Sequence, residues 1–274
     1  MNLPSWLARL RADADQPPRR PRAPLWVGAA QIGSVEPEFM HQIDRLRLPY
    51  LHRVLLKVEQ SGVAGWQLQG DATNSLAHLA HALRDAGLAA AWRDEQLAVP
   101  AADGQIVATV ERAVVRALGL TTRAVHLVAD APDGRVWVQQ RALTKPNDPG
   151  LWDTLVGGMV AAADNLDTAL ERETWEEAGL RLPTLQALRP GGQLTTRRPS
   201  TDCGGAGYVV EHIHWYACTV PAGLEPQNQD GEVQAFALLD PAELLQQLAQ
   251  GAFTDDATLI LADYLEAHRQ LHIK

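Results

Sequence analysis

The segment from Gly157 to Leu180 constrains this chain more than any other. It opens Gly157-Gly158-Met159-Val160-Ala161-Ala162-Ala163-Asp164, passes through Asn165 to Glu171, and continues Arg172-Glu173-Thr174-Trp175-Glu176-Glu177-Ala178-Gly179-Leu180. The spacing predicts a helix from about Asn165 to Ala178, with Asp164 suited to its N-cap. At roughly 100° per residue, Glu173, Glu176 and Glu177 fall within one arc, as positions i, i+3 and i+4 must. Leu166, Ala169 and Leu170 lie on the same face, so the carboxylates extend the stripe that the first two turns bury.

Three carboxylates at a core-facing edge repel one another and lose hydration, a cost that ionised groups escape only by pairing, protonation or metal coordination. Arg172, four residues before Glu176, offsets part of it. A hard divalent cation offsets the rest, because magnesium takes carboxylate oxygens, keeps several waters and coordinates substrate phosphates. Glutamates on a helix are ordinarily a solvated face; the leucines on the same face and the double glycine set this helix apart. The glycines leave the backbone bare, so the Gly158 carbonyl can approach a metal and the chain can turn sharply into the helix. Diphosphate chemistry follows from such a site.

These residues resemble the Nudix box, G-x5-E-x7-R-E-U-x-E-E-x-G-U with U aliphatic, matched by Gly158, Arg172, Glu173, Glu176, Glu177, Gly179 and Leu180. Asp164 stands where the pattern has Glu, which shortens a peripheral carboxylate. Thr174 stands at an aliphatic position and keeps a methyl group. The resemblance implies a Nudix α/β/α sandwich with a mixed sheet, preceded by a smaller α+β N-terminal domain. It also implies Glu173 and Glu177 as principal metal ligands, Glu176 assisting at the metal or acting as base, Mg2+ or Mn2+ as cofactor, and water attacking one phosphorus of a diphosphate. A less specific similarity covers Arg141-Ala142-Leu143-Thr144-Lys145-Pro146-Asn147-Asp148-Pro149-Gly150-Leu151-Trp152-Asp153, Asp230-Gly231-Glu232-Val233 and the N-terminal region. These resemble the Nudix group related to fungal thiamin pyrophosphokinase, whose members hydrolyse thiamin diphosphate and its oxidised or damaged analogues. That resemblance divides the chain into an accessory domain, 1–120, and a Nudix hydrolase domain, 121–274.

The pattern along the chain is mixed α and β. Ser5 to Ala14 reads as a short amphipathic helix, ended by Gln16-Pro17-Pro18-Arg19-Arg20-Pro21-Arg22-Ala23-Pro24, where the prolines force an extended connection and the arginines read as a solvated basic loop. Next come a strand at Leu25 to Ala29, a helix from Glu36 to about Leu46, extended pieces near Val54 to Val58 and Trp66 to Leu68, a helix from Asn74 to Ala86, and a helix from Val107 to Leu118 ending at Gly119. Beyond residue 120, Asp133-Gly134 sits between apolar runs as a hairpin turn. A strand-like Leu155-Val156, the glutamate helix, a strand from Tyr208 to Val220, and helices near Pro241 to Gln250 and Asp255 to Leu271 complete the expected order.

Charge narrows the partners. Residues 1–120 carry 13 Lys and Arg against 12 Asp and Glu, whereas residues 121–274 carry 11 against 21. An acidic half repels nucleic acids and anionic membrane surfaces. No apolar run is long enough to span a bilayer, the stretch Met1-Asn2-Leu3-Pro4-Ser5-Trp6 lacks a basic region followed by an apolar signal core, and Cys203 and Cys218 make neither a CxxC pair nor a disulfide framework. The expectation is a cytoplasmic protein whose partner is a small-molecule diphosphate, with no nucleic acid and no membrane, and with a homodimer allowed.

Supporting residues carry weaker signals. Arg141 and Lys145 are candidate substrate-binding cations for the phosphates, against the plainer reading of surface charge. Glu232, between a turn and a strand, is a candidate base or further metal contact, so the expected catalytic set is Glu173, Glu176 and Glu232. His212 and His214 share a strand face but lack a third spaced ligand, which favours packing or hydrogen bonding over zinc. Arg197 and Arg198 are candidate phosphate contacts on a loop, and Trp26, Trp66, Trp92, Trp137 and Trp152 are more often core than stacking surfaces. The leading expectation is a pyrophosphohydrolase of thiamin diphosphate or a damaged form. The alternatives are a Nudix hydrolase of ADP-ribose, a nucleotide sugar, coenzyme A or a nucleoside triphosphate, a non-catalytic ligand-sensing module, and an isomerase on the same scaffold.

Overall fold

Residues 4–45 and 51–271 are described by a computed structural model. After α1 (Ser5–Asp13) come β1 (Ala23–Val27), β2 (Ala30–Val35), α2 (Pro37–Arg45), α3 (Leu51–Val54), β3 (Leu55–Gln60), β4 (Val63–Leu68) and α4 (Ala72–Asp85). The expected end of the second helix at Leu46 lies outside the described residues. The strands form a sheet in the order β2-β1-β4-β3, in which only β1 and β4 run parallel among the described pairs. The Asp71 carboxylate accepts the Asn74 N–H at 2.9 Å and starts α4. Leu76, Leu79, Ala80 and Leu83 then recur at helical spacing and pack into the N-terminal core with Leu25, Trp66 and Leu68.

The stretch Val107 to Leu118, expected as one helix, is not one. It forms most of β6 (Ile106–Glu111), paired antiparallel with β5 (Gln96–Pro100), and then a 3-10 turn at Arg112–Val114. The β-branched Ile106, Val107, Thr109 and Val110 suit a pleated strand, and the pairing sends alternate Ala108 and Val110 into the core.

The second half contains β7 (Thr121–Asp130), β8 (Val136–Arg141), β9 (Trp152–Asp153), β10 (Val156–Met159), α5 (Leu166–Ala178), β11 (Gln186–Pro199), the tight turn α6 (Asp202–Gly205), β12 (Tyr208–Thr219), β13 (Val233–Leu239), α7 (Pro241–Ala249) and α8 (Asp255–Leu271). Among the described residues the sheet runs β11-β12-β7-β8-β13, with β10 beside β7 and β9 beside β8. β12 and β7 are parallel and the other pairs antiparallel, so the sheet is mixed. Alternation along β7 sends Val125, Leu127 and Ala129 to one face, where Ala169, Leu170 and Ala178 of α5 cover them. Ala124 and Val128 face the other way, onto Leu244 of α7 and Ile260 and Leu261 of α8. The result is the expected α/β/α sandwich behind a smaller α+β unit. No described helix is long and apolar enough to cross a membrane.

Several connections join the halves. Helix α1 packs on α8, with Leu7 and Ala14 against Leu259 and Ala262, and Arg11 pairs with Asp263 at 2.7 Å. Arg22, expected in a solvated loop, is instead partly buried where the halves meet. Its guanidinium donates to Ser34 Oγ at 3.0 Å and to the carbonyls of Ser34 at 2.5 Å, Ala117 at 3.1 Å and Ala206 at 2.5 Å. Arg20 likewise pairs with Glu36 at 2.7 Å. Three carbonyls gathered by one guanidinium make this arginine a structural tie rather than a surface charge. Arg22→Ala is expected to lower the unfolding free energy by about 3 kcal/mol, read from the urea midpoint at unchanged slope; an unmoved midpoint would show that the tie adds no stability.

Candidate active site

Helix α5 starts one residue later than Asp164 would allow. Asn165 is its N-cap: its side chain accepts the Thr168 N–H at 2.9 Å, and Thr168 Oγ1 accepts the Asn165 N–H at 2.9 Å. This reciprocal box outcompetes Asp164, whose carboxylate is left to accept from Arg172 Nε at 3.0 Å. The helix closes at Gly179, whose φ of 62° lets its N–H reach the Trp175 carbonyl at 2.8 Å. Thr174 is fully buried on the helix, and its hydroxyl has no hydrogen-bond partner among the described residues, so it packs as the aliphatic residue it replaces.

Beneath that helix the carboxylates are graded by depth. Glu177 is buried at 2% exposure, and its Oε2 accepts the Gly157 N–H and Gln139 Nε2, each at 2.8 Å. The Glu173 carboxylate lies directly against Gly158, so any Cβ at that position would overlap it. Gly157 is bare for a related reason, since a Cβ there would come within 2.6 Å of the His126 ring. Glu176 sits at the edge, 40% exposed. Arg172 spans the group, with Nη1 at 2.9 Å from both Glu173 and Glu176, and Nη2 at 3.2 Å from the Met159 carbonyl.

Burial dominates the electrostatics. It pushes the Glu173 carboxyl up to about 7, although the Arg172 charge pulls the other way. It pushes Glu177 up to about 8, with the Glu173 charge adding to the rise and the Gly157 N–H, Lys145 and Gln139 opposing it. Among the described residues no three His, Cys, Asp or Glu side chains stand as a preformed cation cage; Arg172 holds Asp164, Glu173 and Glu176, and Glu177 is turned toward Gly157 and Gln139. The donor chemistry nonetheless fits a hard divalent cation: the donors are carboxylate oxygens, two of them starved of water, beside a glycine kept bare.

The other expected residues fall into two groups. Lys145 Nζ and the Glu232 carboxylate are ion-paired with each other, and the Lys145 charge also reaches Glu177. Burial works to raise the Glu232 carboxyl, but Lys145 outweighs it and holds the group below the usual carboxylate range. Arg141 turns toward Asp153 at 3.3 Å and the Asn147 carbonyl at 3.1 Å. Arg197 and Arg198, expected on a loop, lie instead on strand β11, paired with Asp15 at 2.9 Å and Asp256 at 3.3 Å. His212 bonds Thr195 at 3.0 Å, a packing and hydrogen-bonding role as expected. Trp26 and Trp66 are buried in the N-terminal half, Trp92 stacks on His81, and Trp137 and Trp152 pack against the sheet's two cores.

Gln139 stands outside the site residues expected from the sequence. Its signal is faint but present: on β8 it shares parity with Trp137, on the face that α5 covers, where a polar residue needs a reason. Its Oε1 is buried without a partner among the described residues.

A model of the NUDIX domain matches residues 120–260. Over 201 residues the chain is 27% identical to Nudix hydrolase 24, chloroplastic, of Arabidopsis thaliana, which covers 72% of this chain and 54% of that protein. It is 38% identical over 141 residues to an uncharacterized Nudix hydrolase of Streptomyces coelicolor, covering 48% of this chain and 78% of that one. An isopentenyl-diphosphate Delta-isomerase of Streptomyces coelicolor is 33% identical over 121 residues, covering 44% and 58%. The chain spans about half the length of the curated relatives that it matches over the longest stretches.

The raised carboxyls link stability to pH. A group whose folded pKa lies above its unfolded value, about 4.3 for Glu, contributes stability that is full below the unfolded value and is lost as pH rises through the folded one. For Glu177 that window runs from about 4.3 to about 8. The melting temperature of the protein without added metal is therefore expected to fall across this range, with Glu177→Gln flattening the fall and Mg2+ restoring stability at the alkaline end. An identical profile in the variant would remove Glu177 as the cause.

Proposed function

The chain belongs to the NUDIX domain family, and from that premise we propose that it is a divalent-metal-dependent pyrophosphohydrolase of a small organic diphosphate, thiamin diphosphate or an oxidised or damaged analogue. The observation that carries the reading is the pair Glu173 and Glu177, whose burial favours the neutral form unless a cation holds their charge. In this reading Glu173 and Glu177 hold the metal, with Glu176 and the Gly158 carbonyl completing the set. A bound Mg2+ or Mn2+ supplies Lewis acidity that neutralises charge on the diphosphate.

The chain's own residues do the rest. Arg172 fixes Glu173 and Glu176 in place. Lys145 exchanges its Glu232 partner for substrate phosphate, assisted by Arg141, and the freed Glu232 carboxylate accepts the proton of the attacking water, a task that Glu176 shares as the alternative base. The water oxygen bonds to one phosphorus as the bridging P–O bond breaks, leaving the monophosphate ester and inorganic phosphate. The thiamin assignment is supported by the similarity of residues 141–153 and 230–233. The match to the Arabidopsis relative runs over 201 residues, so the similarity extends beyond the NUDIX domain at 120–260. Residues 1–120 act in this reading as an accessory domain.

A panel of organic diphosphates assayed with Mg2+ tests the proposal. Thiamin diphosphate or an oxidised analogue should release phosphate, and Glu173→Gln and Glu177→Gln should each cut turnover roughly 100-fold or more. Near-wild-type rates in both variants would refute the metal assignment. Turnover of other diphosphates but of no thiamin species would move the substrate, and an isomer formed without phosphate release would replace hydrolysis.

A further inference from the structure

The proposed substrate is a polyanion, yet the cations of the C-terminal half that border the carboxylates are engaged. Arg172 is held by Asp164, Glu173 and Glu176, Lys145 by Glu232, and Arg141 by Asp153 and the Asn147 carbonyl. A further source of positive charge lies across the domain boundary. A cavity of about 160 Å³ separates the two halves, lined by Arg93, Arg112 and Arg116 on the N-terminal side and by Asn147, Met159 and Asp202 on the other. One lining residue adjoins the carboxylate site: Met159 follows Gly158, which faces Glu173, and the Met159 carbonyl accepts from Arg172 at 3.2 Å.

The three arginines are not equivalent. Arg116 pairs with Asp202 at 2.9 Å and Arg112 with Glu95 at 2.7 Å. Among the described residues the Arg93 guanidinium has no carboxylate partner; its backbone N–H donates to Glu111 Oε1 at 3.0 Å. Glu111 is itself 2% exposed and also accepts the Ala113 N–H at 3.3 Å, so one buried carboxylate positions the backbone of both the Arg93 and the Arg112 segments. The strand carrying Leu97 is tied to the loop after β10, by a bridge to Ala161 and by the Ala162 N–H donating to the Gln96 carbonyl at 2.7 Å. Arg112 and Arg93 also add, after Lys145, to the charges that hold Glu232 low.

We propose that the N-terminal domain completes the substrate site, with Arg93 as the principal contact and Arg112 behind it, binding the phosphate end of the diphosphate in the cavity between the domains. The inference rests on the hydrolase reading above and gives the accessory domain a role in substrate binding. A planar guanidinium matches phosphate oxygens in bidentate fashion. The cavity is smaller than the roughly 300–1,000 Å³ usual for a whole ligand, which suits one phosphate-sized group and leaves the organic part outside it.

The test uses the full-length chain and two readouts. Calorimetric titration with inorganic pyrophosphate, without added metal, should show binding that weakens about tenfold in Arg93→Gln and partly recovers in Arg93→Lys. With Mg2+ and a hydrolysed diphosphate, Arg93→Gln should raise KM by a similar factor while kcat stays within about threefold, as loss of uniform binding requires. No pyrophosphate binding by the wild type, or equal binding by Arg93→Gln, overturns the inference even if hydrolysis proceeds. Arg93-dependent binding without metal-dependent hydrolysis of any diphosphate supports the anion site and overturns the hydrolase reading.

Discussion

The Glu177 carboxylate sits where three elements meet, and much of the C-terminal architecture serves to hold it there. It hangs from α5, accepts from Gln139 on β8 and from the Gly157 N–H on β10. Burying an ionised carboxylate costs several kcal/mol after relaxation, and two charge-assisted hydrogen bonds offset part of that. The arrangement requires β10 to run beside β7 with no side chain on its glycines, because His126 and Glu173 occupy the space on either side. It also requires α5 to press flat on the sheet, which Ala169, Leu170 and Ala178 achieve.

Arg172 shapes the charge of the same site. One guanidinium serves Asp164, Glu173 and Glu176, so the cluster keeps an excess of negative charge even before Glu177 is counted. That excess is what makes the edge attractive to a cation rather than merely self-neutralised. The forked geometry of arginine, which reaches three carboxylates and a carbonyl at once, is beyond the compact ammonium of lysine.

The two halves are joined by more than a linker. Helix α1 returns to α8, Arg22 reaches across to the Ala206 carbonyl, Arg116 pairs with Asp202, and Met159 packs against the N-terminal core. Met159 is the residue after the glycine that bares Glu173, so packing in the N-terminal half acts on the wall of the carboxylate site.

Local pattern is legible in the amino-acid sequence itself. The period of the glutamate helix, the Asp133-Gly134 hairpin, the strand through Tyr208 and the last two helices all arise from spacing over a few residues, which chain geometry converts directly into facing side chains. Where two local signals compete, sequence is ambiguous: Asp164 and Asn165 are both good caps, and only the reciprocal bond with Thr168 separates them. Strand β11 carries glycines, prolines and arginines without apolar alternation, and it exists because β12 offers its backbone as a partner. The partners of charged groups are decided by tertiary structure alone. Arg22 finds Ala206, Lys145 finds Glu232 and Gln139 finds Glu177. Such pairs are brought together only when the sheet closes, and the energy of a charge depends on what surrounds it in space rather than on its neighbours along the chain.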